Sequence, residues 1–148
     1  MRTTIGVIGV VFWAITTSTA VAQQVIPPGQ FRIGPYPVMC QQSYTILTGP
    51  QLGDVARATI GQIYVNGPMF FSLPIAAQLF VYAHECAHSM GIANEAQADC
   101  FAIQLGRQQG WVNPMTFPQM CASVFGSVGD WTHMPGPQRC QLMLACAQ

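Results

Sequence analysis

Between Pro74 and Met90 the chain reads PIAAQLFVYAHECAHSM, with no glycine and no proline after the first position. A stretch of this length and composition is a helix; Pro74 suits its first turn, with Ser72 as a candidate cap. Its side chains are mostly apolar around the whole circumference, so the fold must be built around it as a buried element. Two histidines and a glutamate in its last two turns argue against a membrane span.

The flanking segments follow from their punctuation. Gly91 is placed to end this helix in a left-handed conformation. Asn94 caps a second helix over 94–109, with Gln97 in the capping-box position. Asn113-Pro114 and Phe117-Pro118 mark a break and a third helix running to Phe125. Residues 126–136 form a loop, and Pro137 opens a last helix to Ala145. On the other side, residues 59–65 (TIGQIYV) are β-prone and end at the turn signal Asn66-Gly67-Pro68. Gln24 to Val38 carries four prolines and two glycines and reads as an extended, surface-hugging arm. Residues 1–22 read as an export signal, with Arg2 ahead of an apolar stretch from Ile5 to Ile15 and a small-x-small site at Ala20-Val21-Ala22. That stretch is too short to cross a hydrocarbon core of about 30 Å, so no stable membrane span is expected after cleavage. The expected architecture is mainly α (α+β): an arm and lead-in over 23–58, then one compact domain over 59–148. That domain holds an active-site helix, a glutamate helix and a short β-strand element.

Charge narrows the function classes. Only 7% of the 148 residues are charged, against about 25% in an ordinary soluble domain. Five arginines cancel five acids and lysine is absent, which excludes a nucleic-acid binder and a disordered chain. So little charge implies an apolar surface on which a protein partner can dock. Six cysteines all follow residue 22, which in a short exported chain reads as up to three disulfides formed in the periplasm or outside the cell. If the two central helices form a hairpin, a Cys86–Cys100 bridge locks it. Cys121 then pairs with Cys140 or Cys146, and Cys40 with whichever remains.

His84-Glu85-Cys86-Ala87-His88 carries the chemistry. Positions i and i+4 share a helix face, so both imidazoles reach one metal ion while Glu85 lies beside it. Zn²⁺ suits imidazole ligands, and a catalytic site takes three protein ligands plus water. Reversal at Gly91 brings Glu95 towards the two histidines, with Asp99 one turn deeper. This makes Glu95 the economical third ligand and Asp99 the partner that orients a ligand imidazole. Every His and every Glu of the chain falls within this constellation.

HECAH followed by NEAQADCFA resembles the gluzincin metallopeptidases, with HExxH followed by a Glu in E-x-x-A-D. It is most similar to the CAAX prenyl protease and HtpX group and its small exported relatives. The likeness extends to THMPGPQR at 132–139 and covers about residues 59–146. It implies a zincin-like fold with one Zn²⁺ per chain on His84, His88 and Glu95. It also implies Glu85 as general base, His133 stabilising the tetrahedral intermediate, and Arg139 in a structural role. A competing pattern, HExxHxxGxxH of the metzincins, matches through Gly91 and places Asn94 at the third ligand. The function expected is an exported zinc metallopeptidase acting on a peptide or protein. The strand Gln62, Ile63, Tyr64 and Val65 would align the substrate by strand addition. The alternative is a catalytically silent binding protein of the same fold, with a structural or occluded zinc site.

Overall fold

In a computed structural model, which describes residues 23–38, 40, 42–130 and 133–148, the chain is an α+β fold. The segment read as an export signal lies outside the described residues. Strands β1 (Gln24–Ile26), β4 (Tyr44–Thr48), β5 (Ala56–Thr59) and β6 (Gln62–Asn66) form one sheet in the order β1-β4-β6-β5. β4 and β6 run parallel, and the two outer strands are antiparallel to their neighbours. A two-stranded ribbon, β2 (Arg32–Ile33) and β3 (Tyr36–Pro37), precedes β4. The helices are α1 (Gly67–Phe70), α2 (Ile75–Ser89), α3 (Glu95–Gln108), α4 (Phe117–Phe125) and α5 (Gly136–Cys146).

α2 is the buried helix expected from its composition, with residues from Ala76 to Ser89 inside. One side packs on the sheet, where the Tyr82 hydroxyl and Thr45 Oγ1 lie 2.7 Å apart. Pro74 stands at its N-cap. Ser72, the candidate cap, instead donates its hydroxyl to the Met69 carbonyl. Asn66, read as part of a turn, caps the short α1 by accepting from the Met69 amide. Gly91 has φ +95° where α2 ends. Asn94 then caps α3 through Oδ1 accepting from the Gln97 amide at 3.0 Å, so the two helices form the expected hairpin.

The Pro-rich lead-in is extended, but it is part of the structure rather than an arm laid over it. β1 pairs with β4, and alternation along the chain turns Phe31, Ile33 and Val38 into the same core as Phe80 and Trp111. Large apolar side chains nevertheless remain exposed at Ile60, Met115 and Val128.

Three disulfides are formed: Cys40–Cys86, Cys100–Cys146 and Cys121–Cys140. The last is one of the two pairings expected, but the Cys86–Cys100 bridge is not made. Two residues advance a helix by about 200°, so Cys86 faces away from the side on which His84 meets α3. It reaches the strand lead-in at Cys40, while Cys100 reaches the last helix. The three bridges suit an oxidising environment. Among the described residues, no helix is long and apolar enough to cross a membrane.

Candidate metal centre

His84 and His88 lie one turn apart on α2, and the turn at Gly91 brings the first residue of α3 back beside them. His84 Nε2 and His88 Nε2 are 3.0 Å apart. Glu95 Oε2 lies 3.1 Å from the first and 3.4 Å from the second. One ligand atom from each of the three falls within 4.8 Å of the others.

The hydrogen bonds on the far side of each ring fix what these atoms offer. His88 Nδ1 sits 2.7 Å from the Ile92 carbonyl, which only accepts, so Nδ1 carries the hydrogen. His84 Nδ1 sits 2.8 Å from Asp99 Oδ1, which also accepts. Both neutral imidazoles therefore turn an Nε2 lone pair towards the other and towards a carboxylate oxygen. Glu95 Oε2 is buried without a hydrogen bond although ring nitrogens surround it. Converging lone pairs repel unless a cation stands among them, and these donors fit a metal ion that takes nitrogen and oxygen ligands.

A proton can play the same part. Burial works to lower the pKa of His84, but its hydrogen bond with Asp99 and the close approach of the Glu95 carboxylate outweigh that, and it is pushed up to about 9. The contact with His84 in turn holds Glu95 below the usual carboxylate range.

Asp99, 1% exposed, is the expected orienting partner and something more. Arg139 from α5 donates Nε to its Oδ2 at 2.8 Å and Nη2 to its Oδ1 at 2.6 Å. The guanidinium lies 5.8 Å from the Phe80 ring centre. Burial would raise the Asp99 pKa, but His84 and Arg139 together hold it down. Arg139 thus ties the last helix to His84 through one carboxylate.

Glu85 is not in the ligand group. It lines two cavities, of 290 and 470 Å³, that both reach His84 and of which the larger also reaches His88 and Glu95; His133 lines both as well. Burial raises its pKa despite the pull of His84 and His88. His133 comes from the loop before α5, with Nε2 3.0 Å from Glu95 Oε2 and its amide donating to Asp130 Oδ1 at 2.8 Å. The structure therefore brings His84, Glu85, His88, Glu95, Asp99 and His133 together. Asn94, the alternative third ligand, is occupied as a helix cap.

The strand over Gln62–Val65 is not where a substrate can add. β6 is paired on both sides, and Ile63 and Val65 are fully buried. Of the two outer strands, β5 is the one that borders the larger of these cavities. Sequence patterning marked the apolar run but not which strand would be outermost, because that depends on long-range pairing. Asp54, which lines both cavities, and Asp130, which lines the smaller, belong to no motif that marks them. The scarcity of acids that singled out the two glutamates applies equally to them. No protein-family model, curated protein or solved structure matches the chain.

Proposed function

We propose that this protein is a zinc-dependent peptidase. The observation that carries the reading is the position of Glu85: next to His84 on α2, outside the group of His84, His88 and Glu95, and lining the cavity onto which all three open. A structural metal site has no use for such a carboxylate, whereas a hydrolytic one needs a base beside the metal but not bound to it. Two imidazoles and a carboxylate suit Zn²⁺, which when bound would acidify water and polarise a carbonyl. Glu85 takes the proton of the attacking water and passes it to the leaving amine, and the burial that raises its pKa helps it hold that proton between the two steps. His133, the third imidazole at the site, faces the negative charge that develops on the carbonyl oxygen.

The substrate backbone lies along β5. Thr59 pairs with Gln62 across the turn, and Val55 accepts from the Asn66 amide, so odd-numbered residues bond inward to β6. Ala56 and Ala58 then present their amides and carbonyls to the cleft, which suits an extended peptide. The three disulfides agree with an exported site of action.

A second reading has one observation in its favour. His133 stands as close to Glu95 as the ligand histidines do, and a fourth protein ligand would close the site to substrate, leaving a binding protein. The zinc-loaded chain, Glu85→Gln and His133→Ala should be compared for peptide hydrolysis and zinc content. The peptidase reading expects cleavage by the unmodified chain, its loss in Glu85→Gln with zinc retained, and a slower His133→Ala that still holds zinc. No cleavage by any form, with zinc lost from His133→Ala, establishes the closed site instead.

A further inference from the structure

Little apolar burial holds α5 to the rest of the molecule: Gly136 and Met143 are its buried residues, and Leu144 is exposed. What fixes the helix is covalent and ionic. Cys140 is bridged to Cys121 on α4, and Cys146 to Cys100 on α3. Arg139, the one charged residue of α5, makes its paired hydrogen bonds with Asp99. Each end of that ion pair is next in sequence to a bridged cysteine, because Cys100 follows Asp99 and Cys140 follows Arg139.

The hairpin of α2 and α3 does not depend on α5 in this way. Ala102 and Ile103 of α3 share the core with Leu79, Phe80 and Ala83 of α2, and the Cys40–Cys86 bridge ties α2 to the lead-in of β4. Access separates the bridges as well. Cys40 and Cys86 are 1% and 2% exposed, whereas Cys100, Cys121, Cys140 and Cys146 are all partly exposed. A thiolate must reach a sulfur to attack it, so the two bridges on α5 open first. A dithiol opens each in two exchanges. Its first thiolate displaces one cysteine and forms a mixed disulfide; its second displaces the other cysteine and closes the reductant's own disulfide. Two electrons pass from the dithiol to the bridge, and the dithiol's two protons end on the two cysteines.

Once both bridges are open, α5 has one large buried side chain left to hold it, and segments with so little burial open locally without the rest. Arg139 then leaves Asp99, and the carboxylate that orients His84 loses its brace. Asp99 itself stays on the imidazole, so the effect on metal affinity is about tenfold, the low end for outer partners of a ligand.

We propose that Cys100–Cys146 and Cys121–Cys140 form a redox device that sets the affinity of the metal centre. Closed, they hold Arg139 on Asp99 and the centre binds metal tightly; opened by a thiol, they release α5 and the affinity falls. This rests on the metal centre of His84, His88 and Glu95, but not on the reaction performed there.

The test opens the two bridges with limiting dithiothreitol and blocks the four thiols with iodoacetamide, so that they neither re-form bridges nor take zinc themselves. Material in which mass mapping shows Cys40–Cys86 intact is kept. A zinc competition titration should give about tenfold weaker binding than the oxidised chain. Oxidised Arg139→Gln should already bind that weakly, and the same treatment should change it by less than about twofold, because the bridges act through Arg139. Hydrogen exchange, which needs no metal, should show α5 opened while α2 and α3 stay protected. The titration and the exchange on the native chain stand if Arg139→Gln fails to fold. Unchanged zinc affinity with the bridges open overturns the proposal. So does an equal further loss in Arg139→Gln, or a loss of protection throughout α2 and α3. An oxidised chain that takes up no zinc refutes the metal centre itself and this proposal with it, so the two failures are told apart.

Discussion

Replacing Asp99 with asparagine changes no volume and removes one charge, and its consequences can be worked out from the contacts. Asp99 is 1% exposed and holds His84 on one side and the Arg139 guanidinium on the other. Breaking a buried pair by removing one partner costs about 3–5 kcal/mol, because the other charge stays behind without compensation. The Arg139 side chain keeps 13% of its surface, so the low end applies and the metal-free protein should lose about 3 kcal/mol. His84 also loses the carboxylate that fixes its tautomer, which lowers metal affinity by about 10–100-fold. At saturating zinc, a hundredfold loss removes about 2.7 kcal/mol of ligand-linked stability. The deficit in the loaded protein should therefore approach twice that in the metal-free protein. Urea unfolding of both forms with and without zinc, beside a zinc competition titration, measures the two effects separately. Equal midpoints for Asp99→Asn and the unmodified chain, with unchanged zinc affinity, would refute the role assigned to this carboxylate.

Other consequences can be checked as directly. Because His84 is raised from 6.5 to about 9 in the metal-free protein, its protonated form stabilises that state fully below about pH 6.5 and the contribution is lost as pH rises through 9. Zinc needs the neutral ring, so uptake between these limits should release about one proton and the apparent affinity should rise about tenfold per pH unit; calorimetry in buffers of different ionisation heat measures it, and zero release would contradict the ligand role. Gly106→Ala should destabilise by about 1–3 kcal/mol, although alanine favours helices, because a Cβ there runs into Val112 and the buried Trp111; a rise in melting temperature would show that the packing is looser than described. Removing the Cys40–Cys86 bridge by a double change to alanine should cost up to about 4 kcal/mol from the loop it closes, read by denaturant unfolding. That cost should be larger than for the bridge of Cys121 and Cys140, whose sequence separation is 19 rather than 46; the reverse order would contradict the loop-closure argument.

The helical half of the molecule was legible because its signals are local. Gly91, Asn94 with Gln97, and Pro74 each fix a helix end by chemistry within a few residues. Glu95 could be placed beside His84 once the hairpin was read. The sheet was not legible in the same way. β1 and β4 have no strong alternation, and their pairing joins residues far apart in sequence, so no local signal marks Tyr44–Thr48 as a strand or places β6 inside the sheet with β5 at its edge. The disulfides failed for a related reason. Cys86 and Cys100 are near each other along the chain, but the helical rotation that brings His84 to Glu95 turns Cys86 the other way. His133 was placed by likeness alone, and its approach to Glu95 depends on the loop over 126–136, whose course no local signal dictates.

The central claim is that His84, His88 and Glu95 hold a metal ion, and native mass spectrometry of the folded chain after zinc loading and desalting tests it most directly. The account predicts one zinc per chain, retained in Glu85→Gln and lost in both His88→Ala and Glu95→Ala, each shown by circular dichroism to keep its helices. A folded chain that takes up no zinc, or that keeps it when Glu95 is replaced, would contradict it.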